Sequence, residues 1–294
     1  VILSARSFVD TSAAFPDGDG NGLGRPRQPQ EWATFIAEAT RNGVGAVAPV
    51  NDAAIVRALQ LAHATSPLEV YPVIPNVLGY VRDAADHGLV GAGIKHARNV
   101  RIADLLGIGV RGLARIRGVL ARDFTAVLPL LIEVEMAAFR AFRPPLVFLH
   151  SQVTDLALAF GNREVLRIFA DVVRRRFDAV PGVSTNNYAL LVQRAAEWEL
   201  PLPVVAAPFN PQGFLMKPTR PACEALVARA EHQLIADRIA LDPASLAASF
   251  AYLHSLGIPS ALVDAHEIDT VRQAVESARD ANQSGTGAAV AHAT

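Results

Sequence analysis

The run LVFLHSQV, Leu146 to Val153, is a short apolar stretch that ends on histidine and amide side chains, and its reading decides the fold. Its length and branched side chains predict a strand. Working outward, the helical spacing of Glu164–Phe177 follows it, and then a second apolar run, Ala179–Thr185. The same alternation continues to the C-terminus. Strands are expected at Val204–Pro208, Leu234–Ala240 and Ser260–Asp264, with helices at Tyr188–Glu199, Arg220–Ala230, Pro243–Leu256 and Ile268–Ala281. Toward the N-terminus, Ile2–Val9, Val44–Val50 and Glu69–Ile74 read as strands, with helices Glu31–Arg41 and Ala53–Ala64 between them.

Eight strands, each followed by helical sequence, predict an α/β fold of the (β/α)8 TIM-barrel type rather than an open doubly wound sheet. The interval between the third and fourth strands is far longer than an ordinary crossover. It reads as helices at Leu78–His87, Val100–Leu106, Val110–Leu120 and Phe124–Phe142, so a helical insertion over 77–143 is expected there. The whole of 1–282 is read as one barrel, and the small, polar tail 283–294 as disordered.

Composition narrows the class. In 294 residues, 51% hydrophobic content is ample for a large core. A net charge of −1 argues against whole-molecule attraction to nucleic acid. No apolar run is long enough to span a bilayer, and a single cysteine, Cys223, fits a reducing compartment. The expected location is cytoplasmic. Only Lys95 and Lys217 are lysines, and between 95 and 122 seven cations face one acid, Asp104. Lys95, Arg98, Arg101, Arg111, Arg115, Arg117 and Arg122 alternate there with Ile and Leu, a pattern that suits a lid, a protein partner or an anionic membrane surface as well as a solvated helix face. The stretch PDGDGNG at 16–22 opens like a calcium loop, but its twelfth position is Gln28 where a bidentate Glu is needed. It reads as the first loop of the barrel mouth.

From Leu146 to about Ala281 the wording resembles the aldo/keto reductase family. His150 ends its strand as the family's catalytic histidine does in Leu-His-Trp, GVSTNN at 182–187 is similar to its Gly-Val-Ser-Asn strand, and PVVAAPFNP at 203–211 to its Asn-Pro strand. The resemblance implies a barrel, and in the family hydride transfer rests on an Asp, Tyr, Lys and His tetrad. Here GAVAPVN, 45–51, lacks the Asp and the following Tyr, and VYPVIPN, 70–76, puts Ile74 or Pro75 where the Lys belongs. The basic residues that would hold a 2′-phosphate after the last strand are also replaced, with Asp264 and Glu267 nearby. The cofactor is thus left unidentified, and NADP is disfavoured.

In barrels the chemistry forms at the C-terminal ends of strands. The candidates there are Asn51, Asn76, Gln152, Asn186, Asn187 and Asn210, with Lys217 further on, all as substrate-binding groups. Amides offer donors and acceptors without charge, which suits a polar small molecule, although the same residues also cap helices. His150 is the expected general acid/base, with Asp155 orienting it or binding substrate from a strand-to-helix loop. His266 is near enough in type for a metal set, but no ligand spacing supports one, and no metal is expected. The sequence therefore points to a barrel enzyme acting on a polar, perhaps anionic, small molecule by acid/base chemistry of the lyase, isomerase or hydrolase type. A divergent NADPH-dependent oxidoreductase using Tyr71 or Tyr80 as proton donor, and a non-catalytic barrel that docks a partner through 95–122, are the alternatives.

Overall fold

The computed structural model describes residues 1–4, 28–76, 124–240 and 242–291. The loop 16–22, Tyr80, Lys95, the basic segment 95–122 and residues 77–123 of the expected insertion lie outside these residues.

Among the described residues nine parallel strand segments make one curled sheet: β1 (Ile2–Leu3), β2 (Ala46–Val47), β3 (Glu69–Val70), β4 (Val73–Ile74), β5 (Leu146–Leu149), β6 (Val180–Ser184), β7 (Val204–Pro208), β8 (Gln233–Asp237) and β9 (Ser260–Val263). Their order is β3-β2-β1-β9-β8-β7-β6-β5-β4. The first and last of that order are neighbours in the chain. Tyr71 N–H and Val73 N–H donate to Val47 O and Pro49 O at 2.8 Å, while Pro72 O and Ile74 O accept from Phe148 N–H and His150 N–H at 2.8 and 2.7 Å. Residues 69–74 thus pair on both edges and close the sheet into a barrel of eight staves. The expected single strand Glu69–Ile74 is recorded as two short ones because Pro72 has no N–H for the ladder.

The helices wrap the outside: α1 (Pro29–Arg41), α2 (Ala53–His63), α3 (Phe124–Ala137), α4 (Ser151–Ala159), α5 (Arg163–Phe177), α6 (Tyr188–Glu197), α7 (Arg220–Val227), α8 (Leu246–Ser255) and α9 (Ile268–Ala291). Local chemistry sets their starts. α1 has Pro29 in its first turn, and Gln28 N–H donates to Glu31 Oε2 at 2.7 Å, one half of a capping box. The Asp52 carboxylate accepts from Ala54 N–H and Ile55 N–H at 2.9 and 3.2 Å and starts α2. α1 buries Trp32, Phe35, Ile36 and Ala39, the face its spacing predicts.

Several strands are shorter than the sequence reading, and two places differ further. The strand expected over 146–153 stops at Leu149, and α4, which the reading lacks, begins at Ser151. Asp155 therefore stands on a helix, not in a loop. The last helix continues from Ala281 to Ala291, through sequence read as a tail. Alanines at 288, 289 and 291 are strong helix formers that offset Gly285 and Gly287.

Side chains alternate along every stave. Ile2, Ala46, Ala48, Leu146, Phe148, Val204, Ala206, Ile235 and Leu262 pack together inside the barrel, with Tyr71 and Val73 against them. Leu3, Val47, Val70, Val147, Leu149, Val205, Ala236 and Val263 pack outward against the helices. Gly182 belongs to the inner layer, where a Cβ would lie 2.8 Å from Phe148 Cδ1, so its bare backbone gives Phe148 the room to fill the centre. Among the described residues no helix is long and apolar enough to cross a membrane.

Candidate active site at the barrel mouth

The alternation that fills the barrel also chooses what faces the mouth. Two residues beyond Ile2, Phe148, Gly182 and Ile235, on the same inner face, stand Ser4, His150, Ser184 and Asp237. The ladder still holds at these positions. Ser4 N–H donates to Val263 O at 2.9 Å, His150 N–H to Ile74 O at 2.7 Å, and Asp237 pairs with Pro208 in register. Ser4 is 2% exposed and Asp237 6%, so both polar groups sit deep rather than on a rim.

His150 is half-buried and does two jobs. Its Nδ1 accepts the Gln152 backbone N–H at 3.2 Å, capping α4, and its carbonyl accepts from Thr154 N–H at 3.1 Å. Because Nδ1 is an acceptor, the neutral ring carries its proton on Nε2. The imidazole is therefore held in one tautomer by the start of the helix that follows it.

Asp155, one turn on, is brought to the end of β6. Its carboxylate accepts from the Thr185 hydroxyl, from Asn186 N–H at 3.1 and 3.3 Å, and from Asn186 Nδ2 at 3.1 Å. Asn187 N–H in turn donates to Thr185 Oγ1 at 2.9 Å. The expected residues Asp155, Asn186 and Asn187 thus meet in one network that ties α4 to the β6–α6 turn. Within it Asp155 holds the β6–α6 turn in place, as these four interactions all run to Thr185 and Asn186.

The other amides serve the backbone. Asn76 Nδ2 donates to Asn51 O at 3.0 Å, and both residues are buried, so they join the ends of the second and third staves. Asn210 is wholly buried, donates to Phe214 O and Arg238 O at 2.9 and 3.1 Å, and accepts from Phe214 N–H at 2.8 Å. Its amide shapes the loop that carries Phe214 and Lys217. Gln152 and Lys217 are exposed. The Tyr71 hydroxyl donates to Glu69, near the N-terminal start of its stave, and burial with that carboxylate raises its pKa. It points away from the mouth.

A cavity of about 440 Å³ opens between the ends of β8 and β9. Arg238, Asp242, Asp264, His266, Glu267 and Thr270 line it with apolar side chains such as Ile239 and Leu246. Arg238 adopts a left-handed backbone at φ 49°, and its Nε is buried with no hydrogen-bond partner among the described residues. Sequence reasoning missed Ser4 and Asp237 because it ran their strands on to Val9 and Ala240. The period-two pattern alone, started at Ile2 and Ile235, would have found both.

No protein-family model matches the chain, and no curated protein sequence matches it. Solved structures do. One, described as "Putative aldo-keto reductase from Pseudomona aeruginosa", superposes with a TM-score of 0.54 at 15% identity, covering 94% of this chain and 89% of its own. A second, of a protein described in the same words, gives 0.61 at 15% identity, with 95% and 89% covered. Closure of the sheet, the helices outside it and these superpositions together establish that the chain has the α/β barrel fold of the aldo-keto reductases.

Proposed function

We propose that the chain is a nicotinamide-dinucleotide oxidoreductase acting on a polar small molecule, with His150 as the proton-transfer group in place of a tyrosine. The observation that carries this reading is the cavity at the ends of β8 and β9, which lies where barrels commonly bind the phosphorylated part of a ligand. Its lining fits such a group: carboxylates for hydroxyls, one guanidinium for an anion, and apolar side chains for a base. A bound nicotinamide ring would supply or accept the hydride.

The chain's own residues do the rest. His150 holds a proton on Nε2 because Gln152 N–H occupies Nδ1, and it faces the barrel axis with Ser4, Ser184 and Asp237. Those three offer hydroxyls and a carboxylate to orient a polar substrate. The Asp155, Thr185 and Asn186 network keeps the neighbouring loop fixed, which limits the entropy lost on binding.

Titration of nicotinamide fluorescence tests the reading directly: NADH or NADPH binds at submillimolar concentration, and His150→Ala keeps that binding while turnover over a panel of carbonyl substrates drops by about 100-fold. If neither nucleotide binds at millimolar concentration, the reading fails. One observation favours a second reading. GAVAPVN, 45–51, has no Asp, and VYPVIPN, 70–76, carries Ile74 or Pro75 where the resemblance would put the Lys, which suits redox-neutral acid/base chemistry on the same His150. That reading predicts turnover of a polar substrate with no nucleotide present.

A further inference from the structure

We propose that His232 is a proton-operated latch on the start of α6, so that acid loosens the Asp155 network at the barrel mouth from the opposite end of the barrel. The latch acts on the mouth whatever reaction is carried out there.

Its links are a continuous run of contacts. His232 directly precedes β8, at the end of the barrel away from the mouth, and its Nε2 lies 3.1 Å from the Tyr188 hydroxyl. Tyr188 is the first residue of α6 and is 1% exposed. Its ring sits edge-on between two others, 5.7 Å from His232 and 5.2 Å from Phe209, which lies just past the mouth end of β7. One side chain therefore spans the wall from the closed end to the open one. The residue before it, Asn187, donates its N–H to Thr185 Oγ1, and the Thr185 hydroxyl and Asn186 N–H are in turn held by Asp155. A shift of Tyr188 pulls directly on the turn that Asp155 fixes.

Protonation of His232 reverses the first link. In the neutral ring Nε2 accepts the tyrosine O–H, and it is the hydroxyl's one partner among the described residues. An imidazolium carries a proton on Nε2 and can only donate. Two hydrogens then face one another, unless the hydroxyl turns away into the buried wall and leaves its own O–H unpaired. The buried cation adds to that cost. Parting the two rings relieves both, since His232 is only half-buried between the exposed Glu231 and Gln233 and regains solvent, while water reaches the tyrosine.

The groups around the pair favour the neutral ring. From α7 comes Cys223, a wholly buried thiol near Tyr188 that donates to Lys217 O at 3.3 Å. Its neighbour Glu224 is engaged with Arg220 and Tyr252 at 3.0 and 2.8 Å. On the connection itself Arg229 and Glu231 are exposed, and the start of β8 pairs with Pro203, which carries no charge. Burial holds the imidazole below its usual value. The latch is thus closed above about pH 6.5 and opens as pH falls through the lower folded value.

The test is a titration of the full chain from pH 7.5 to 5.5, followed by NMR at the backbone amides of Asn186 and Asn187. Both signals are expected to shift together with those of the His232 imidazole, along one curve centred below about pH 6.5. His232→Gln keeps a neutral acceptor beside Tyr188 and should hold both amides still over that range. Tyr188→Phe keeps the ring without the hydroxyl and should uncouple them from His232 as well. His150→Asn should leave the titration in place, which separates the latch from the histidine at the mouth. Amides that do not move, that move as far in His232→Gln and Tyr188→Phe as in the unaltered chain, or that stop moving in His150→Asn each overturn the latch.

Discussion

The Asp155 carboxylate accepts the backbone N–H of Asn186 at 3.1 Å, joining residues 31 apart in sequence across the mouth of the barrel. With the Thr185 hydroxyl and the Asn186 amide on the same carboxylate, one side chain on α4 fixes the turn that starts α6. Asp155→Ala should therefore destabilise the fold by about 1–3 kcal/mol, since it leaves donors at a half-buried site without an acceptor. Urea denaturation checks this. Thr185→Val combined with Asp155→Ala should cost less than the sum of the two, because both remove the same bond. Strict additivity would show that the network does not act as a unit.

His150 has a capping role and a proposed chemical one, and a single substitution separates them. Asn is as good a cap as any residue, so His150→Asn should hold stability within about 0.5 kcal/mol while abolishing proton transfer. His150→Ala should lose about 1 kcal/mol as well. Thermal melts and turnover measured on the same preparations distinguish the two effects. Equal turnover in His150→Asn would remove the histidine from the chemistry.

Acid sensitivity should come from His232. Its Nε2 lies 3.1 Å from the hydroxyl of Tyr188, whose ring is almost wholly buried, and burial lowers the histidine's pKa. The unfolded chain then binds a proton near pH 6.5 that the folded chain refuses. Stability from this residue is complete above about pH 6.5 and falls as pH drops through that value toward the lower folded pKa. Burial raises the Tyr188 pKa, so its share is lost as pH climbs past about 10. Unfolding free energies at pH 7.5 and 5.5 should differ less in His232→Gln than in the unaltered chain. An identical difference would mean that this histidine is not the source.

Gly182→Ala tests the inner layer. A Cβ there meets Phe148 Cδ1 and Cε1 at 2.8 Å and Leu146 Cδ1 at 3.1 Å. Overpacking of this kind costs about 1–3 kcal/mol. Adding Phe148→Leu should return part of the loss, read as a rise in melting temperature over the single variant. No loss in the single variant would show that the barrel centre is looser than described.

Much of the fold was legible in the sequence because the barrel repeats one simple pattern. Val204–Pro208 was read to the residue, since an apolar run buried on both faces has clear ends. α4 escaped because its buried face is Thr154, Ala157 and Leu158, while Leu156 and Phe160 are exposed, which blurs any apolar stripe. Asp237 escaped for a backbone reason. Ile239 and Ala240 extend the apolar run, but the left-handed turn at Arg238 ends the strand before them, and nothing in side-chain hydrophobicity announces it. Asn210 and Asn76 were correctly placed at strand ends. Their type could not show that their donors serve backbone carbonyls.

The stave at residues 69–74 has a further meaning for the position of His150. A proline in the middle of a two-sided strand leaves one rung of the ladder toward β5 without a donor. Across the join between the third and fourth staves the amides of Phe148 and His150 donate to Pro72 O and Ile74 O on either side of that gap. The residue proposed to move the proton thus has its own backbone amide tied into the ladder beside the proline gap, so its position is coupled to the stave that closes the ring.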